Sequence, residues 1–76
     1  MKVVEVTWID SAFHRGWGTL TEKQRDMRIS HCRTVGYLLH RDADMLKIAQ
    51  SLGDDDSAAD GIAIPAVAVT KVRTLA

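Results

Sequence analysis

The chain reads as a mainly β protein: five strands bent into a small barrel, one short helix between strands 1 and 2, and a single helical turn before the last strand. Three observations predict this. Apolar and polar residues alternate with a period of two over Val4 to Trp8. Three short apolar runs follow between Cys32 and Ile64, separated by the polar turn Arg41-Asp42-Ala43-Asp44 and an acidic, glycine-bounded stretch. Ile62-Ala63-Ile64-Pro65 then leads into Val69 to Leu75, a last strand.

Strand 1 spans Val3 to Ile9, with Val4, Val6 and Trp8 on one face and Glu5 and Thr7 on the other. Val3 and Ile9 give the second face some β-branched bulk. Asp10 and Ser11 end the strand, because both side chains bond nearby backbone in turns. Ala12 to Gly18 is irregular and aromatic, with glycines on both sides of Trp17. Thr21 and Gln24 have capping-box spacing, which starts a helix over Glu22 to Arg28. Few of its residues are apolar, so it is expected to be exposed and thinly anchored.

Strand 2 spans Cys32 to His40, with Val35, Tyr37 and Leu39 on one face and Gly36, Leu38 and His40 on the other. A glycine at position 36 predicts a bend or a close backbone approach. Strand 3 spans Met45 to Leu52, with Leu46, Ile48 and Leu52 on one face and Lys47 and Ser51 on the other, so that Gln50 falls inward. The acidic connection covers Gly53 to Gly61, and strand 4 covers Ala59 to Ile64. Pro65 has no N–H to donate, so it stops the ladder and opens one helical turn over Pro65 to Ala68. Strand 5 is Val69 to Leu75. The whole of residues 1–76 is read as a single small-barrel domain.

A chain of 76 residues buries only about 60% of its unfolded surface, so the core is thin and a homo-oligomer is expected. The formal net charge is zero, which disfavours a dedicated nucleic-acid coat. The charges are unevenly placed: residues 11–47 carry a net +3 and residues 48–76 a net −2. A dipolar molecule of this kind suits head-to-tail self-association or one basic face for an anion, although a solvated mixed surface is the plainer account. One cysteine, Cys32, rules out an intrachain disulfide. No segment has the roughly 20 apolar residues of a membrane-spanning helix. Together these point to a cytoplasmic protein with no membrane partner.

The resemblance that the residues carry is to a group of small proteins of unassigned function encoded by tailed phages and prophages. Trp8-Ile9-Asp10-Ser11-Ala12 followed by Gly16-Trp17 is similar to the opening of that group. Cys32 to Leu39, Leu46 to Ser51, and Ile62-Ala63-Ile64-Pro65 with Val69 and Val72 are similar to its later strands. The closing part also resembles SH3-like and Sm-like barrels, where an Ile-Pro and one helical turn lead into the final strand. The resemblance implies an accessory binding protein in the host-cell cytoplasm, acting stoichiometrically on a host protein or a small anionic ligand. The alternative it carries is an Sm-like nucleic-acid-binding module using Arg15, Lys23, Arg25, Arg28 and Arg33.

The candidate ligand-binding residues are His14, Arg15, Trp17, Arg33 and Tyr37. Aromatic faces stack on bases or rings, and Arg or protonated His holds an anion. Trp8 and Trp17 have a second reading, preferred here, as large side chains filling a small core. His14, His31, Cys32 and His40 lack zinc-site spacing, and adjacent His31 and Cys32 on an extended chain point to opposite faces. Asp54-Asp55-Asp56-Ser57-Ala58-Ala59-Asp60-Gly61 lacks the closing Glu of a calcium loop and reads as a solvated tip. No catalytic motif is present, so the expectation is a non-enzyme without a cofactor or metal.

Overall fold

The computed structural model describes residues 1–76. Five antiparallel strands form one sheet: β1 (Val3–Asp10), β2 (Ser30–Arg41), β3 (Met45–Leu52), β4 (Ala58–Pro65) and β5 (Val69–Thr74). The helix α1 (Leu20–Asp26) lies between β1 and β2, and a 3-10 turn at Ala66–Ala68 precedes β5. The strand order is β4-β3-β2-β1-β5. No ladder joins β4 to β5, so the sheet is open and the expected barrel closure is absent from the backbone hydrogen bonding.

The long strand β2 serves two neighbours in turn. Its first part pairs with β1, from Asp10↔Ser30 to Val3↔Tyr37. Its last part pairs with β3, from Tyr37↔Ala49 to Arg41↔Leu46. The sheet therefore changes partner at Tyr37, and the β3–β4 hairpin continues beyond its last pair with β2 at Ala49. Irregularities at Thr7/Trp8 in the β1–β5 ladder and at Leu38/His40 in the β2–β3 ladder bend the sheet at two separate levels.

The core sits at that crossover and is small. Val4, Val6, Leu46, Ile48 and Ile64 form its centre, with Trp8, Leu38, Ala68, Val69 and Val72 packed around them. Only seven residues in all are buried, among them Gly36 and Ala49. The Trp8 indole N–H donates to Thr34 Oγ1 at 2.9 Å, which satisfies its polar edge inside the sheet. Gly36 is required by a backbone approach: a Cβ there would stand 2.7 Å from the Ala49 carbonyl oxygen.

Several sequence expectations shift. The helix begins at Leu20 because Thr19, rather than Thr21, is the N-cap: Thr19 Oγ1 accepts the Glu22 N–H at 3.1 Å, and Glu22 Oε2 accepts the Thr19 N–H at 3.3 Å. Pro65 ends β4 opposite Met45 and caps the 3-10 turn instead of being its first residue. Gln50 and Leu52 are exposed rather than inward, because β3 has left the core by then; Gln50 Nε2 donates to Val35 O at 2.8 Å.

The molecule is elongated. Its radius of gyration is 16.0 Å, against about 11 Å for a compact chain of this length. Its extents are 52 × 22 × 21 Å. Two parts lie away from the core: residues 11–29, and the tip of the β3–β4 hairpin.

Candidate functional site

The segment 11–29 forms an arm between β1 and β2. It starts where Asp10 Oδ1 accepts the Ser11 N–H at 2.8 Å, a turn that ends β1. Gly16 has φ +82°, a backbone state that favours glycine. The chain then enters α1 through the Thr19–Glu22 capping box. Lys23 ties the loop to the helix: its ammonium reaches His14 Nδ1 at 2.7 Å, His14 O at 3.3 Å and Arg15 O at 3.4 Å. An ammonium only donates, so His14 Nδ1 is the acceptor and the neutral ring carries its proton on Nε2.

Arg25 donates to both Asp26 oxygens, at 2.7 and 3.1 Å. That hydrogen bond holds the Asp26 carboxyl below its ordinary range. Two cations of the basic set, Lys23 and Arg25, are thus engaged inside the arm. Arg15 and Arg28 form no ion pair.

The arm is apolar as well as basic. Phe13 is 88% exposed, Leu20 is 82% exposed and Trp17 is fully exposed; Met27 and Ile29 are more than half exposed. No residue of α1 is buried. Phe13, Ile29 and Arg28 line one shallow cleft, and Met27, Ile29 and Ala12 line its neighbour. Phe13, Met27 and Ile29 thus come together around adjoining clefts, and an exposed apolar patch is a mark of an interaction surface.

The five sequence candidates divide into two groups. His14, Arg15 and Trp17 belong to the arm. Arg33 and Tyr37 lie on β2, opposite Thr7 and Val3 of β1, on the face away from Val4 and Val6. Four residues of extended chain place them about 13 Å apart. No hydrogen bond or ion pair joins either to the arm. Trp8 takes the core position expected of it, half-buried against the apolar centre. Trp17 does not: the arm offers nothing for it to pack under. The exposure of Leu20, Met27 and Ile29 fits the thin anchoring expected of the helix, and Phe13 lies in the aromatic stretch 12–18 read from the sequence.

At the other projection, Gly53 to Ser57 close the β3–β4 hairpin, with the Gly53 N–H bonded to Ser57 O at 2.8 Å. Asp56 and Asp60 have positive φ, 61° and 58°. The Ser57 hydroxyl bonds the Asp55 carboxylate, which lowers that carboxyl. Leu52 and Ile62, on the flanking strands, are both partly exposed.

A third charged feature closes the β2–β3 hairpin. Asp42 Oδ1 accepts the Asp44 and Met45 N–H groups at 2.8 and 2.9 Å, and Oδ2 meets His40 Nε2 at 2.6 Å. The His40 bond first, then the two backbone donors, pull the Asp42 carboxyl down to about 2. These interactions form a turn lock. Beside it, a cleft lined by Arg41, Met45, Ala66 and Val69 lies next to exposed Val67.

Cys32 is a half-buried free thiol near Ser30 Oγ at 3.6 Å. No three His, Cys, Asp or Glu side chains gather closely enough to hold a metal ion. No helix is long and apolar enough to cross a membrane. No protein-family model, curated protein or solved structure matches the chain.

Proposed function

We propose that this chain is an accessory binding protein that acts stoichiometrically as the subunit of a homo-oligomer. The observation that carries this reading is the arm of residues 11–29, whose five large apolar side chains are exposed in a chain with only seven buried residues. Free energy is gained by covering such a surface, at about 25 cal/mol per Å² of apolar area. A chain with so thin a core gains stability from association as well as recognition.

The phage or prophage origin, the host-cytoplasm location and the partner, a host protein or a small anionic ligand, follow from the sequence resemblance and are part of the same proposal. So is the assignment of the open sheet to the SH3-like or Sm-like small barrels, whose curvature the two ladder irregularities favour. Arg15 and Arg28, the arm cations without an ion-pair partner, are the groups offered to an anion. The nucleic-acid alternative has less support, since Lys23 and Arg25 are held by His14 and Asp26.

Sedimentation velocity of the wild type beside Phe13→Ser/Trp17→Ser tests the reading. Concentration-dependent oligomers in the wild type, lost in the double variant without loss of β signal by circular dichroism, support it. A wild type that stays monomeric and binds neither anion nor protein overturns it. So does a catalytic turnover abolished by Cys32→Ala or His14→Ala.

A further inference from the structure

We infer that the arm docks onto the β3–β4 hairpin tip of a second copy of the same chain, so that subunits join head to tail. The inference rests on the oligomeric reading above and specifies which two surfaces meet.

Phe13 and Trp17 together expose about 400 Å² on the scale of 150–250 Å² per aromatic side chain, and Met27 and Ile29 adjoin Phe13 at the two clefts. A standard interface covers about 800 Å² per partner, of which the two aromatics supply about half. Nothing in its own chain covers the arm: α1 has no buried residue.

The charges of the two surfaces are opposite. Residues 11–29 carry Arg15, Lys23, Arg25 and Arg28 against Glu22 and Asp26, a net +2. The tip, residues 52–62, carries Asp54, Asp55, Asp56 and Asp60 with no basic residue, a net −4. None of these four aspartates forms an ion pair within the chain, and neither does Arg15 or Arg28. An arm facing an arm, or a tip facing a tip, sets like charges against each other. An arm facing a tip pairs opposite charges around an apolar centre, with Leu52 and Ile62 of the tip meeting the aromatic face.

The two surfaces belong to different parts of one chain, so the contact is heterologous. Such contacts close into a ring if the rotation between neighbours permits it, and otherwise propagate as a filament.

A charge-exchange experiment tests this in the full chain. The tip-reversed variant carries Asp54→Lys, Asp55→Lys and Asp60→Asn; Asn suits the positive φ at position 60. The arm-reversed variant carries Arg15→Glu and Arg28→Glu. All five positions are exposed, and circular dichroism verifies that each variant keeps its sheet. Each variant alone is expected to associate at least about tenfold more weakly than the wild type, because like charges then face each other. Mixing the two is expected to restore assembly, with the tip of the first on the arm of the second. Wild-type oligomers that survive either reversal, or a mixture that stays dissociated, overturn the head-to-tail contact while leaving the oligomeric reading in place. A wild type that is monomeric at every concentration overturns both.

Discussion

Replacing Gly36 with alanine probes the centre of the fold with one methyl group. Gly36 is buried in β2 and its φ lies outside the positive range, so alanine can adopt the backbone. On entropy alone, Gly→Ala at a compatible strand position stabilises by about 0.5–1 kcal/mol. The added Cβ would sit 2.7 Å from the Ala49 carbonyl oxygen and 3.5 Å from Ile48 Cβ. The first neighbour is backbone of β3, held by the ladder at Tyr37↔Ala49, so it cannot rotate away. Overpacking of this kind costs about 1–3 kcal/mol. The steric cost therefore wins, and the net loss is about 1–2 kcal/mol. For a domain of this size each kcal/mol lowers Tm by about 4–8 °C. Thermal melts of Gly36→Ala and wild type, at one protein concentration because association raises Tm, measure the difference. A variant as stable as the wild type would refute the close β2–β3 approach.

Thr34→Val strands the Trp8 indole N–H and should cost about 1 kcal/mol in urea melts, with Thr34→Ser recovering most of it; an unchanged midpoint contradicts the bond's place in the core. Thr19→Ala removes the capping box of a helix that buries nothing, so hydrogen exchange in α1 should accelerate while Tm stays within about 1 °C. The Asp42 carboxyl should titrate near 2 by NMR, below its ordinary 3.8. A lowered folded-state value means that its stabilising contribution is complete above 3.8 and is lost as pH falls through about 2, so the β2–β3 turn should loosen only in that acid window. A midpoint at 3.8 would show that the His40–Asp42 pair does not persist in solution.

The strands were legible because period-two alternation and turn residues are local signals. β1, β3 and β5 lie within about a residue of their expected ends, as strand boundaries of this kind allow. Gly36 announced the close approach, and Pro65 the end of β4. The arm was legible in part: the thin anchoring of α1 follows from its few apolar residues. The exposure of Trp17 was not. Residue type predicts burial on average, but actual burial depends on whether the segment folds back over the sheet, and neither Lys23 nor the cap pulls the arm there. Open edges at β4 and β5 were equally hidden, because closure depends on how far the bends at Thr7/Trp8 and Leu38/His40 curl the sheet. Arg33 and Tyr37 were grouped with the arm by chemistry alone, whereas strand register sets them apart along β2.

Fluorescence of a Trp8→Phe variant, in which Trp17 is the only tryptophan, tests the covered arm most directly. Trp17 is fully exposed in a lone chain. Blue-shifted, quencher-protected emission is expected at high concentration, moving to the red on dilution in step with dissociation by sedimentation. Emission that is red and freely quenched at every concentration, while the protein remains oligomeric, would show that subunits meet elsewhere and that the arm is not the interface.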